Sequence, residues 1–263
     1  MKNILILTNF STKSWNSIMY ALSLFENEKC SFYLLNARNN INEEDSKIAF
    51  DTLMNKISSS PLKGKHVFIP IMEAAEIIDA TKLHVKEKNI DLIVVGTDGK
   101  PSVETTKSVS VFENVITKVK CSILVVPNEA RFNGIEEIAF PTDYTNFNEA
   151  YLLQNRPDFL RASQLKIRFI HLAKKDEVLD KGQLWNKETL HDYFKDQPHS
   201  FHVEINKNFE VSIENFIHKM GIDLIIMAAK NLNLFEEILF RPHMNNIKYY
   251  SKTPFLILHK VIN

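Results

Sequence analysis

Unbroken apolar runs alternate with stretches of helical spacing along the first half of the chain. The runs are NILILT (3–8), CSFYLLN (30–36), KHVFIP (65–70), DLIVVG (91–96) and SILVVP (122–127). Apolarity without a period of two marks strands buried on both faces, as in a covered parallel sheet. Between them, residues 12–26 set Trp15, Ile18, Met19, Leu22 and Phe25 on one helical stripe. Residues 43–58 do so with Ile48, Leu53, Met54 and Ile57, and residues 73–88 with Ala74, Ile77, Ile78 and Val85. Residues 109–118 carry a shorter stripe of Val111, Val115 and Ile116. Strand and helix in strict alternation predict a parallel sheet with helices on both faces.

The pattern then begins again, with EEIAFPT (136–142), LKIRFIHL (165–172), SFHVEI (200–205), DLIIMA (223–228) and PFLILHK (254–260). NIDLIVVG (89–96) aligns with GIDLIIMA (221–228), and ENVITKVKCSILVV (113–126) with NNIKYYSKTPFLIL (245–258), both at an offset of 132 residues. Two long copies are tandem domains rather than a solenoid. The expected domains are 1–128 and 135–263, with the boundary in the polar NEARFNG (128–134). One departure stands out: Pro157 interrupts the segment that should form the second copy's first helix. A proline there predicts a kink, or a break with Pro157 opening a new turn.

Composition narrows the partners. Lys+Arg and Asp+Glu are 32 each, so the net charge is zero. Bulk electrostatic attraction to nucleic acid is therefore not expected. The opening MKNILILTNF does not read as a signal peptide, and no apolar run reaches the roughly 20 residues of a membrane span, so a cytoplasmic protein is expected. Cys30 and Cys121 make no disulfide framework and fall in predicted buried strands, where thiols are inert. Only six glycines occur, and Gly96 and Gly99 sit together after a strand, which marks a constraint on the backbone.

The openings ILTNFS and AFPTDYT, the strand-to-loop IDLIVVGTDG, the helix start SVFENVI and the closing CSILVVP together resemble the universal stress protein family, in a tandem form covering nearly the whole chain. The resemblance implies two doubly wound, five-stranded parallel α/β domains of the adenine nucleotide alpha hydrolase-like type. It also implies adenine-nucleotide binding through G-x2-G-x9-G-[ST], and an acidic residue after the first strand that contacts the nucleotide. Backbone N–H groups at a helix start hold phosphate because they lack intrahelical partners and sit at the positive end of the helix dipole.

Neither copy matches that pattern fully. Copy one keeps Gly96, Gly99 and Ser110 at the start of the Val111 helix, but has Val109 at the third glycine. A β-branched residue there is stiff and disfavours φ > 0. Its acidic position is Asn9, which offers hydrogen bonds without charge. Copy two restores the acid as Asp143 but has Ala228, Asn231 and Arg241-Pro242 at the loop positions. Pro242 has no N–H to give, and Arg241 could itself occupy the phosphate volume. The strand ends are expected to gather Thr8, Asn9, Asn36, Gly96, Gly99 and Ser110 in copy one, with Thr142, Asp143, His171 and Arg241 among those in copy two.

Plainer roles compete. Gly96 and Gly99 could be turn residues, and Asn9 and Ser11, or Asp143 and Thr145, helix caps. Trp15 and Trp185 are expected as core or interdomain anchors. His199 and His202, three apart at a strand entry, should face opposite sides, and no metal site is expected. No nucleophile–base pair or G-x-S-x-G elbow occurs, so no catalysis is assigned. The leading expectation is a stress-associated sensor or adaptor with weak binding of ATP, ADP or AMP in copy one. The alternatives are a protein-interaction module with vestigial crevices and a weak ATP hydrolase. The apolar final strands are expected to make the copies an internal pseudo-dimer, with a homodimer of whole chains as a further level.

Overall fold

The computed structural model describes residues 1–39, 42–97, 111–145, 148–154, 157, 160, 164–173, 176–205, 209–229 and 252–259. Of residues 111–113, 152, 154 and 209–211 only the backbone is described. The chain divides into two compact units, one built on Met1–Phe132 and the other on Asn133–Tyr249 and Thr253–Asn263.

Unit 1 contains β1 (Lys2–Leu7), α1 (Thr12–Leu24), β2 (Cys30–Ala37), α2 (Glu43–Ser58), β3 (Val67–Glu73), α3 (Ile77–Glu87), β4 (Leu92–Thr97), α4 (Val111–Lys118) and β5 (Ile123–Pro127). Its strands are parallel, in the order β3-β2-β1-β4-β5. Unit 2 contains β6 (Glu137–Pro141), α5 (Glu149–Gln154), β7 (Lys166–Ala173), α6 (Lys181–Tyr193), β8 (His199–Ile205), α7 (Phe209–Met220), β9 (Leu224–Ala228) and β10 (Phe255–Leu258). Its order, β8-β7-β6-β9-β10, is the same with the elements renumbered, and again parallel. Each unit is thus a doubly wound α/β sheet whose first strand is flanked by its second and fourth. The order reverses at that first strand, which opens a crevice at its carboxyl end.

The repeated Asn/Gly-Ile-Asp triplet has a local cause in each unit. Asn89 (φ 47°) and Gly221 (φ 63°) take the left-handed conformation just beyond α3 and α7. Ile90 N–H then donates to Val85 O, and Ile222 N–H to Ile217 O, each at 3.1 Å, closing the helix end. The isoleucines are buried. Asp91 Oδ2 accepts from Asn3 N–H at 2.8 Å, and Asp223 Oδ2 from the Glu136 and Glu137 N–H groups at 2.9 and 3.0 Å. One triplet therefore ends a helix, anchors it in the core and ties it to the unit's first strand.

Three expectations need correction. β3 and β8, each the outermost strand in its unit's order and paired within it on one side, are not buried on both faces; Val67, Met72, Val203 and Ile205 are exposed. In α2 the core face is Phe50, Leu53 and Ile57, while Ile48 is exposed. Trp185 is 60% exposed on α6 and anchors no core. Trp15 is half-buried, with the Lys56 ammonium 3.9 Å above its ring. Before Pro157 the described part of α5 ends at Gln154, and Leu160 N–H donates to Pro157 O at 2.9 Å; residues 155, 156, 158 and 159 lie outside the described residues. Among the described residues no helix is long and apolar enough to cross a membrane.

Candidate functional site

The loops after β1 and β6 are built alike. Thr8 Oγ1 accepts from Phe10 N–H at 3.1 Å, and Thr142 Oγ1 from Tyr144 N–H at 2.8 Å. Asn9 Oδ1 accepts from Ser11 N–H (3.2 Å) and hydroxyl (2.6 Å). Asp143 Oδ1 does the same for Thr145, at 2.9 and 2.7 Å. These short-range bonds hold Phe10 at φ 63° and Tyr144 at φ 59°, a conformation that bulky side chains rarely adopt. Two non-glycine residues held so at matching positions mark a shape that both units keep, at a cost of order 1–3 kcal/mol each. Ser11 then caps α1, its side chain accepting from Ser14 N–H.

The second strand of each unit braces this loop from the side. Thr8 N–H donates to Leu35 O and Thr142 N–H to Ile170 O, both at 2.9 Å. The next residue returns a side chain to the same threonine. Asn36 Nδ2 donates to Thr8 O at 2.8 Å, and His171 Nδ1 lies 3.0 Å from Thr142 O. Asn36 and His171 are therefore counterparts, and the carbonyl fixes the proton of His171 on Nδ1, because a carbonyl only accepts. Asn36 is 1% exposed, and its Oδ1 has no hydrogen-bond partner. Asn9, in contrast, is exposed.

Gly96 has a packing role. A Cβ there would sit 2.7 Å from Lys13 O and 3.1 Å from Lys13 C, in the first turn of α1. The glycine lets α1 lie directly on β4. In unit 2 the same place holds Ala228, fully buried, and α5 begins only at Glu149.

In unit 2 several side chains pack on and bond to the loop after β6. Tyr144 is fully buried, its ring 5.2 Å from that of His171 and 6.4 Å from that of Phe201. Its hydroxyl has no hydrogen-bond partner, and burial, then the neighbouring Glu149, pushes its pKa up. Thr142 Oγ1 donates to the buried Glu149 carboxylate at 2.5 Å. From α6, Gln183 Nε2 and Asn186 Nδ2 donate to the carbonyls of Asp143 and Tyr144 at 2.8 and 2.6 Å. His171 Nε2 lies 3.4 Å from Glu177 Oε1. The sequence reading did not single out Tyr144, Glu149, Gln183 or Asn186. The signal was there for Tyr144, which stands where copy one has Phe10.

The structure brings Thr8, Asn9, Asn36 and Gly96 to one end of unit 1, and Thr142, Asp143 and His171 to the matching end of unit 2. Gly99, Val109, Ser110, Asn231, Arg241 and Pro242 lie outside the described residues, and of Val111 only the helical backbone is described. Cys30 and Cys121 are buried, and burial pushes their thiols up to about 11 and about 12, which leaves both inert at neutral pH. Among the described residues no group of three His, Cys, Asp or Glu could hold a metal ion.

No curated protein matches the chain. A universal stress protein from Archaeoglobus fulgidus DSM 4304 is similar in structure, with a TM-score of 0.68 at 13% identity, over 97% of this chain and 95% of its own. A functionally unknown protein from Pseudomonas aeruginosa PAO1 gives 0.59 at 11% identity, over 98% of this chain and 92% of its own. At such identities the likeness is one of fold. Residues 1–127, the span of unit 1, match the Universal stress protein family.

Proposed function

We propose that the chain is a tandem universal stress protein of the cytoplasm, a stress-associated sensor or adaptor in which unit 1 binds adenine nucleotide weakly and unit 2 does not. The observation that carries this reading is the contrast between the two crevices. In unit 1 the buried Asn36 Oδ1 is an acceptor with no partner, and Asn9 is exposed at the strand end. Its Oδ1 is engaged by Ser11, which leaves the Nδ2 donor to face outward. A donor and an acceptor of this kind complement adenine or ribose edges without adding charge. In unit 2 the counterpart His171 Nε2 is also buried without a hydrogen-bond partner, but it lies 3.4 Å from Glu177 Oε1, the His171 ring packs on that of fully buried Tyr144, and the α6 amides hold the carbonyls of Asp143 and Tyr144.

The family motif contributes the phosphate end of the reading. Gly99 and the Ser110 N–H and hydroxyl would cradle phosphate, and Val109 would hinder its approach. One charge-assisted hydrogen bond lost to phosphate costs about 1.5–3 kcal/mol, or roughly ten- to a hundredfold in affinity. Copy two, with Pro242 in place of a donor, falls below useful affinity unless Arg241 supplies a charge.

Mass spectrometry of ligand released from freshly purified protein, with calorimetry of ATP binding to wild type, Val109→Gly and Gly99→Val, tests this. The expected results are a released adenine nucleotide, tighter binding by Val109→Gly and weaker binding by Gly99→Val. The second reading is a protein-interaction module whose crevices are vestigial, favoured by the packing of Tyr144 in unit 2. No released nucleotide and no heat with any variant would establish it in place of the first.

A further inference from the structure

The sequence contains nine histidines, and two of them meet at the end of unit 2 away from the crevice. His191 lies in the last turn of α6 and His199 opens β8. His191 Nδ1 and His199 Nε2 are 2.9 Å apart. On its other side the His199 ring is held by a backbone group, its Nδ1 lying 2.9 Å from Gln197 O. That carbonyl can only accept, so the His199 proton resides on Nδ1 and the lone pair on Nε2 points at His191. The His199 ring is held further by the Phe201 ring at 5.7 Å and the Phe169 ring at 6.3 Å. His191 is exposed, its ring 5.0 Å from that of His199 and 6.4 Å from that of Phe201.

We infer that His191 and His199 form a two-histidine site for a divalent transition-metal ion such as Ni²⁺, Cu²⁺ or Zn²⁺. An imidazole whose far N–H donates to a backbone carbonyl is the usual form of a metal-ligating histidine, with the tautomer set in advance; both rings must turn by about 45° from the N–N line for their lone pairs to meet on one ion. Metal–imidazole bonds are about 2.0–2.1 Å, so two cis ligands near 90° hold their nitrogens about 2.9 Å apart. The observed separation is that of a cis pair in square or octahedral geometry, while tetrahedral Zn²⁺ requires it to open by about 0.4 Å. Without metal, the pair is satisfied by His191 Nδ1–H donating to His199 Nε2. On binding, His191 shifts to the tautomer protonated at the exposed Nε2, whose N–H donates a hydrogen bond to water, and turns its Nδ1 lone pair to the ion. No net proton is released and no buried group is uncovered. No third protein ligand joins them among the described residues, so water completes the shell.

This pair escapes a search by short spacing, since its members are eight residues apart on different elements. The closer pair, His199 and His202, does not converge. His202 faces the other side of β8, its ring 5.0 Å from Phe216 of α7 and its Nε2 2.7 Å from Ser200 Oγ.

The test uses full-length, chelator-treated protein titrated with Ni²⁺ alone by calorimetry, and with Cu²⁺ alone by electron paramagnetic resonance. His191→Gln and His199→Gln should each weaken Ni²⁺ binding at least tenfold and reduce the nitrogen coupling of bound Cu²⁺ from two imidazoles to one. His202→Gln should change neither. Circular dichroism checks that each variant is folded; His191→Gln, at an exposed helix position, keeps the question answerable if His199→Gln is not. Binding by wild type that persists unchanged in His191→Gln, or that His202→Gln abolishes, would overturn the proposal, as would no binding at all.

Discussion

Replacing Gly96 by alanine sets two effects against each other, and the structure says which wins. Gly96 is in β4 and is not among the glycines with positive φ. At such a position alanine ordinarily stabilises by about 0.4–1 kcal/mol, because it restricts the unfolded chain. Here the new methyl carbon would stand 2.7 Å from Lys13 O, at least about 0.5 Å inside ordinary contact. The obstacle is backbone, and it cannot simply retreat. Asn16 Nδ2, in the next part of α1, donates to the carbonyls of Pro127 and Ala130 at 3.0 and 3.1 Å, and Arg131 donates to Asn16 Oδ1 at 2.7 Å. Moving α1 away from β4 strains these bonds and those at its cap. Overpacking of this kind costs about 1–3 kcal/mol. The net expectation is a loss of about 1–2 kcal/mol from unit 1.

The two tryptophans make this measurable in the intact chain, because one lies in each unit. Trp185 is exposed, so Trp185→Phe is a surface change worth within about 0.5 kcal/mol. In that background Trp15, on α1 itself, reports the unfolding of unit 1. With a urea slope of about 2 kcal/mol/M, the middle of the usual range, Gly96→Ala should lower the Trp15 midpoint by about 0.5–1 M. An unchanged or raised midpoint would show that α1 does not press on β4, and would return Gly96 to the role of an unconstrained turn residue.

Two further outcomes follow from unit 2. Tyr144→Phe removes a buried hydroxyl that has no partner, so stability should hold or rise by about 1 kcal/mol in urea unfolding; a loss above that would mean that the hydroxyl is bonded. Glu137 receives Arg168 Nε at 2.7 Å and Lys166 Nζ at 2.9 Å; burial pushes its carboxyl up, but these two partners outweigh it and hold its pKa below the usual range. A depressed carboxylate stabilises the fold above its unfolded pKa of about 4.3, and that contribution is lost as pH falls through the folded value. Glu137→Gln should therefore cost about 1–3 kcal/mol at pH 7, with wild type and variant converging as pH falls through the depressed folded value; equal stability at pH 7 would refute it.

The fold was legible because each signal behind it is local. Each of the ten apolar runs overlaps a strand among the described residues, and in the inner strands, covered on both sides, apolar residues on both sides are needed and little else. The parallel between NIDLIVVG and GIDLIIMA was visible as a repeat, yet its reason was not. Three jobs, a left-handed cap, a core anchor and a tie to the first strand, fall on consecutive residues whose partners, Val85, Asn3 and Glu137 among them, lie elsewhere. The outer strands misled for a related reason: KHVFIP looks as apolar as NILILT, and only its place in the sheet order exposes Val67 and Met72. The crevices were harder still. Thr8, Asn9, Thr142 and Asp143 were found because the loop is written in consecutive residues. Asn36 and His171 are counterparts only because each bonds the carbonyl of the threonine that follows its unit's first strand, about 30 residues away. Gly96 carries the sharpest lesson. In the sequence its neighbour is Gly99, three residues on, and the pair reads as a loop; in the fold its neighbour is Lys13, across the face of α1. The same glycine serves a packing constraint that is present whether or not a nucleotide ever binds. A loop motif in a single sequence is therefore weak evidence of a ligand until the packing demand on each glycine has been subtracted, and that subtraction needs the helix in place.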